Sequence, residues 1–546
     1  SLINMINSEQ GECHECGNVN PEQIFNIIET KVVNEYGNFT DERKVLPENW
    51  NQYFDENTQL PEIEPSHEYP PSSLNIPSRI KQTIIFATRD IKSKLSNKQY
   101  LLINLLEAPI LAFVLAYIIK YHNTDNLTNV GYVFSKNINM PAYLFMSVIV
   151  ALFMGLTVSA EEIIRDRKIL KREEFLNLSR SSYLFSKISI LFTLSAIQTF
   201  TFVLVGNFIL EVNEMLFIYW LILFTTSCMA NVLGLNISSA FNTAVTIYIL
   251  IPILLIPQLI LSGVVVKFDK LNPSLSNTGK VPIVGDVMAS RWAFEAAMVA
   301  QFKDNPFESQ FYFLDKRNAE SDYKKIYYIP ELESNLEYCY NNSKSTDPKV
   351  VQNMENSFEL LRNEIQHEMV DLNLNQEKFP QLDSLNIGTF SPTVYSKTLE
   401  FLSTLRRFYS RQQKEADEQR DKIMVSLTNT AEKREEFQQM KNEYLNESIS
   451  EIVKNSNEAQ RIIKADNRLY QKIYPIYMTP KPTHMFDYRT EFYVPVKHFM
   501  GRYFDTVYFN IVVIWIMSVT LIITLYFDVF RKILDFLGNL FTSKKY

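Results

Sequence analysis

The sequence predicts an all-α polytopic membrane protein with six transmembrane helices and a large, mainly helical extracytoplasmic insertion before the last helix. Six apolar stretches support this class, because about 20 helical residues cross a hydrocarbon core of about 30 Å. A highly charged segment, residues 161–173, separates the second stretch from the third. A polar, domain-sized segment, residues 267–506, separates the fifth from the sixth.

Hydropathy alone places the six spans. They cover residues 100–119, 141–160, 188–208, 215–237, 244–266 and 507–527. The mean hydropathy of the chain, -0.09, averages these spans with very polar segments and so does not argue against a membrane protein. The first residues are polar and acidic, which is not the pattern of a signal peptide.

The distribution of Lys and Arg predicts the orientation of the spans, because basic residues favour cytoplasmic loops. Basic residues are frequent before the first span and between the second and third, but sparse in loops 120–140 and 209–214. Residues 507–546 would then form the sixth transmembrane helix and a cytoplasmic tail. We expect both termini in the cytoplasm and a multi-pass protein of a bacterial inner (plasma) membrane.

Two soluble segments precede the first span. Residues 1–77 hold 14 acidic and 3 basic residues, which disfavours nucleic acid or anionic lipid as a partner, and they end in a proline-rich linker. The residue pattern of 78–99 predicts an amphipathic helix that lies on the inner membrane face. The alternative is that these residues simply extend the helix of the first span. The apolar residues of 78–99 lie among basic ones: Ile80, Ile84, Phe86, Ile91 and Leu95.

The insertion, residues 267–506, begins with a section rich in Pro, Gly and aromatic residues and becomes helical from Ser396. Its apolar periodicity weakens between Ser410 and Asp421. This pattern favours two or more antiparallel helices over one unbroken coiled coil.

The chain has no recognisable catalytic or metal motif. It lacks a phosphate-binding loop, a Gly-x-Ser-x-Gly sequence and a His-Glu-x-x-His sequence. Cys13 and Cys16 form the one close cysteine pair, and no second Cys or His pair lies near enough to complete a four-ligand zinc site. We therefore expect an incidental pair, with a metal site or a redox pair as alternatives, and predict no catalytic residue, metal or cofactor in this chain.

Polar side chains within the spans are candidate structural or functional residues: Glu107, Gln198 and Asn231. A charged carboxylate at the centre of a membrane helix costs roughly 2.5 to 3.5 kcal/mol. Glu107 is therefore expected to face other helices and to be paired or protonated, or to lie near the headgroups.

Four short stretches resemble one known family. Residues 161–173 (EEIIRDRKILKRE) with residues 182–187 (SYLFSK) resemble the coupling-helix region of type-2 ABC exporters, in particular the G subfamily of white-like half-transporters. Residues 291–296 (RWAFEA) resemble a motif in that subfamily's last outer loop, and residues 20–26 (NPEQIFN) resemble the stretch that closes its ATPase domain. The insertion is longer than in the subfamily, and the ATPase motifs are missing.

The resemblance implies the type-2 exporter arrangement, with a connecting helix at 78–99, a coupling helix at about 161–180 and the tail of an ATPase domain within residues 1–77. ATP and Mg would act through a nucleotide-binding domain, upstream or on another chain, and two copies, expected as a homodimer, would form the pore. The coupling-helix candidates are Glu161, Glu162, Arg165, Asp166, Arg167, Lys171, Arg172 and Glu173. The candidates for a translocation path between the second and fifth spans are Phe145, Met146, Phe153, Leu250 and Leu254.

Three functions compete at this stage. The leading one is the permease part of an ATP-driven exporter that moves an amphipathic or lipidic substrate across the lipid membrane. The second is transmission of ATP-driven motion to an envelope protein bound to the outer domain. The third is a membrane scaffold or receptor without transport, which would not depend on an ATPase partner.

Overall fold

The computed structural model describes residues 21–57, 76–121, 131–173, 178–275 and 280–542, in two compact units, residues 1–75 and 76–546. The smaller unit contains helix α1 (Pro21–Glu29), an antiparallel hairpin of β1 (Lys31–Val33) and β2 (Phe39–Arg43), and helix α2 (Pro47–Asn57). The cysteine pair and Asn20 lie outside the described residues, whereas residues 21–26 of the stretch 20–26 belong to α1.

The first half of the larger unit is a run of helices. They are α3 (Arg79–Ser96), α4 (Lys98–Ile119), α5 (Met140–Ser159), α6 (Glu162–Glu173), α7 (Arg180–Leu210), α8 (Leu216–Ala240) and α9 (Ala244–Ile260).

The second half holds eight further helices in the insertion, two hairpins and the last two helices. They are α10 (Ile283–Asp286), α11 (Ala289–Lys303), α12 (Glu308–Tyr323), α13 (Ile329–Asn341), α14 (Pro348–Asp371), α15 (Pro392–Thr428), α16 (Ala431–Tyr444), α17 (Glu447–Lys454), β3 (Ile462–Ala465), β4 (Arg468–Gln471), β5 (Val496–Phe499), β6 (Arg502–Asp505), α18 (Thr506–Tyr526) and α19 (Val529–Thr542). Strands β3 and β4, and likewise β5 and β6, pair antiparallel.

Five helical segments of the described chain are long and apolar enough to cross a membrane, and they contain α4, α5, α7, α8 and α18. The fifth predicted span corresponds to α9, which is apolar but has only 17 residues. The protein is thus a mostly helical membrane protein, and the sixth crossing stays a prediction.

Short polar side chains determine where three of these helices begin. Asn97 accepts a hydrogen bond from the backbone N–H of Tyr100 at 3.1 Å, and Asp505 accepts one from Val507 at 2.9 Å. Ser179 caps α7 in the same way, because its side chain accepts a hydrogen bond from the backbone N–H of Ser182. Each side chain satisfies an N–H group that has no partner within its own helix, which favours a helix start at that residue.

Two glycines allow α5 and α8 to pack closely. A Cβ added to Gly155 on α5 would lie 2.6 Å from the carbonyl oxygen of Ser227 and 2.7 Å from the Cβ of Ala230, both on α8. A Cβ on Gly234 of α8 would collide with Ser159. Close backbone approach through small residues is a common way for membrane helices to associate, so this pair forms the centre of the bundle.

In the insertion, α12 and α15 pack antiparallel. Asp315 pairs with Arg420 at 2.8 Å, while Ser321 donates to Gln412 at 3.0 Å. The polar stretch 410–421 therefore does not end a helix, because its side chains bond to α12. The break comes later, where Thr430 caps α16.

Candidate functional site

The charged segment folds as helix α6, and it contributes to a cluster of five buried or nearly buried charged side chains. Asp90 and Lys94 come from α3, Glu162 and Asp166 from α6, and Lys187 from α7. Their exposed side-chain fractions range from 2% to 15%. We call this group the charge cluster.

Lys187 lies at the centre of the charge cluster. Its Nζ is 2.7 Å from Asp90 Oδ1, 2.9 Å from Glu162 Oε2 and 2.8 Å from Asp166 Oδ2. The Nζ of Lys94 donates to Asp90 Oδ2 at 2.8 Å and to Glu162 Oε2 at 3.0 Å. The cluster therefore connects three helices through shared ammonium groups.

The charges of the cluster balance when one further residue is included. The guanidinium of Arg165 lies 3.3 Å from Glu162 Oε1 and supplies the third positive charge against three carboxylates. Burial raises the pKa of Asp90, but the ammonium groups of Lys187 and Lys94 outweigh this effect, so the pKa lies below its usual value. Asp90 is thus held ionised.

Removal of one partner from such a cluster has a large effect. A buried charge without its partner destabilises a protein by about 3 to 5 kcal/mol, whereas an exposed ion pair contributes only about 0 to 1 kcal/mol. Relative displacement of α3, α6 and α7 would separate these charges in the same way. We infer that the three helices move as one body at this end of the bundle.

The other coupling-helix candidates lie outside the cluster. Arg167 donates to the carbonyl oxygens of Ser239 and Phe241, each at 3.0 Å, at the end of α8. Glu173 pairs with Arg89 of α3 at 2.7 Å. Lys171 and Arg172 are exposed, and Glu161 lies partly exposed in the turn before α6.

The translocation-path candidates do not share one surface. Phe145 is buried and contacts the ring of Phe294, with 5.6 Å between the ring centroids. Met146 and Phe153, seven residues apart, share an exposed face of α5. Leu250 and Leu254 of α9 are partly buried against the bundle core.

The polar residues within the spans differ in their surroundings. Gln198 Nε2 donates to the carbonyl oxygen of Asn104 at 3.0 Å, which links α7 to α4. Asn231 Nδ2 donates to Ser195 Oγ at 2.7 Å, which links α8 to α7. Glu107 is partly buried on α4.

Sequence reasoning missed three members of the charge cluster: Asp90, Lys94 and Lys187. Lys94 counted only toward the orientation of the spans, and Lys187 counted toward that orientation and the family resemblance of residues 182–187. A signal was present, since Asp90 is the one acid in α3 and lies four residues from Phe86 and from Lys94, on one helical face. That face is buried, while Ile80, Ile84, Ile91 and Leu95 point away from the protein.

No group of three or more His, Cys, Asp or Glu side chains is placed to bind a metal ion within the described ranges. The candidate site is a set of ion pairs that joins three helices.

In a comparison with protein families, residues 81–302 fit the family model described as ABC-2 type transporter. The match contains all of α4 to α9 and every residue of the charge cluster. No curated protein matches the chain. Residues 81–302 are thus similar to an ABC-2 type membrane domain, and this match together with the apolar helices indicates an integral membrane protein.

Proposed function

We propose that this ABC-2 type domain makes the chain the permease part of an ATP-driven exporter with the arrangement of the G subfamily. A nucleotide-binding domain that binds ATP and Mg, either upstream or on another chain, drives it. Two copies form the transporter as a homodimer, and the substrate is amphipathic or lipidic.

The charge cluster is the observation that carries this proposal. An ATPase domain that pushes on the exposed side of α6, where Lys171 and Arg172 lie, moves Glu162 and Asp166. Lys187 transfers that displacement to α7, and Lys94 transfers it to α3, which leads directly into α4. A rigid-body shift of α6 thereby reaches two membrane helices.

A second function is favoured by the connection between the insertion and the bundle. Strand β6 leads directly into α18, and Asn510 of α18 donates to Glu295 of α11 at 2.9 Å. Motion of α18 would therefore reach the insertion. ATP-driven action on an envelope protein remains the alternative proposal, and a scaffold without ATPase dependence is the third.

The test is Glu162→Gln in the complete transporter with its ATPase domain. This change removes one of the two carboxylate charges that bind both lysines, Asp90 being the other, but keeps the shape of the side chain. We expect ATP hydrolysis to continue, while the ATP-dependent change in distance between spin labels on α5 of the two copies falls by about tenfold. Glu355→Gln, the same change at an exposed position of α14, is the matched control and should behave as the wild type.

Size-exclusion chromatography would confirm that the Glu162→Gln dimer is assembled. A normal ATP-dependent distance change in an assembled Glu162→Gln dimer would contradict the role of the cluster. If ATP caused no change in the spin-label distance in the wild type, that result would favour the scaffold.

A further inference from the structure

A groove of about 900 Å³ lies where the insertion meets the membrane bundle. One wall comes from the ends of α7 and α8, the opposite wall from α16 of the insertion, and the floor from residues 132–134. The volume lies at the upper end of the range of small-molecule sites, about 300 to 1,000 Å³. None of the charge-cluster or path residues lines it.

The groove contains a buried polar side chain without a partner. Asn207 of α7 lines it and is 7% exposed, yet neither Nδ2 nor Oδ1 of its amide makes a hydrogen bond. Such a group destabilises a protein unless something satisfies it, and nearly all buried polar groups are satisfied. A hydrogen-bonding ligand in the groove would satisfy it.

The two walls differ in chemistry. The α7 wall is apolar and exposed at Leu204 and Phe208, which are 48% and 84% exposed. The α16 wall is polar, and among the described residues the charged ones that line the groove are all carboxylates: Glu211, Glu435 and Glu443. Lys120 pairs with Glu211 at 2.8 Å, which leaves the two glutamates of α16 as the source of negative potential.

We propose that this groove binds a membrane amphiphile whose headgroup carries a primary amine. Its alkyl chain lies along Leu204 and Phe208, its ammonium group pairs with a carboxylate of α16, Glu435 or Glu443, and the polar part between them bonds to Asn207. The site goes beyond the proposed transport function, because binding requires neither ATP nor motion of α6.

The probe is a photoactivatable long-chain primary amine, added to the full chain in phosphatidylcholine nanodiscs without nucleotide. We expect crosslinks in residues 204–216 and 435–443. Labelling by the chain-matched fatty acid and fatty alcohol should be about tenfold weaker, because the carboxylates repel the first and do not attract the second. Equal labelling by all three probes, or crosslinks elsewhere, would overturn the proposal.

The variants Asn207→Leu and Glu435→Gln with Glu443→Gln should each reduce amine labelling by about fivefold. Asn207→Leu should leave the melting temperature unchanged or higher, since it replaces an unsatisfied buried amide with an apolar group. Phe217→Leu, an exposed residue of α8 outside the groove, is the control and should not change labelling. A lower melting temperature with unchanged labelling in Asn207→Leu would show that Asn207 is structural and overturn its role.

Labelling by a photoactivatable phosphatidylethanolamine, compared with the phosphatidylcholine analogue, identifies the source of the amine. Preferential labelling by the ethanolamine lipid supports a bilayer lipid as the occupant, and labelling by the free amine alone supports a single-chain amphiphile. Protection of the groove by a copurifying protein, with no amine labelling after its removal, would overturn the proposal.

Discussion

A second buried ion pair, Glu295 with Lys497, shows how single residues join the insertion to the bundle. Lys497 Nζ donates to Glu295 Oε1 at 2.7 Å, and both side chains are almost fully buried. Burial lowers the pKa of Lys497 to about 8, and the carboxylate of Glu295 opposes a further fall. The carboxylate of Glu295 thus favours the protonated form of Lys497.

We expect Lys497→Met to lower the free energy of unfolding by about 3 to 5 kcal/mol, because it leaves the Glu295 carboxylate buried without its main partner. Glu295→Gln should also lower the free energy of unfolding. The double variant should lose less free energy of unfolding than the sum of the losses in the two single variants. Denaturant unfolding in detergent measures this cycle. Strict additivity would show that the two groups do not interact.

The exposed pair of Lys414 and Glu418 provides the control for that cycle. Its charged atoms lie 3.8 Å apart and both side chains are more than half exposed. Glu418→Gln should leave the free energy of unfolding unchanged, because solvent screens the charges of such an exposed pair.

At the scale of whole elements, α5 and α8 pack closely at Gly155. The atoms that a new Cβ would meet there include a backbone oxygen, which has no rotamer to change. Any larger residue therefore has to separate the two helices.

Gly155→Ala should destabilise the bundle by about 1 to 3 kcal/mol, the usual range for overpacking. Cys228 of α8 is fully buried, so the temperature at which a thiol-reactive dye labels it reports the opening of this contact. Gly131→Ala is the matched control, because a Cβ at Gly131 meets no atom within 4 Å. Equal labelling temperatures in the two variants would contradict the assigned packing.

For the whole molecule, the charge cluster and the insertion lie at opposite ends of α7, since α7 carries Lys187 near its start and lines the groove near its end. Positive loop charge predicts that the cluster end faces the cytoplasm. The insertion would then lie on the opposite side of the membrane, outside the cytoplasm.

Single cysteines at Thr346 and Lys168, both exposed, test this orientation. In a background without Cys13 and Cys16, an impermeant maleimide added to intact cells should label Thr346→Cys and leave Lys168→Cys unlabelled until the membrane is opened. Cys228 and Cys339 are buried and serve as the unlabelled baseline. The reverse pattern would overturn the topology.

The sequence alone determined the membrane class and most of the span positions. The predicted spans 100–119 and 507–527 differ from α4 and α18 by at most two residues at each end, because hydropathy is a property of consecutive residues. The start of α7 was missed: the helix begins at Arg180 rather than at 188. Its first turns are polar, and hydropathy does not detect polar turns that ion pairs stabilise.

Tertiary structure decided which charged residues act together. Glu162 was a candidate, but its partners Lys94 and Lys187 lie 68 and 25 residues away in sequence. No sequence pattern pointed to Asn207 as a candidate binding residue, because an amide without a hydrogen-bond partner is recognised only when every neighbouring atom is placed. A local sequence pattern indicates which side chains of one segment are buried. Ion pairs and grooves instead depend on the distances between segments, and only the packing of the helices defines those distances.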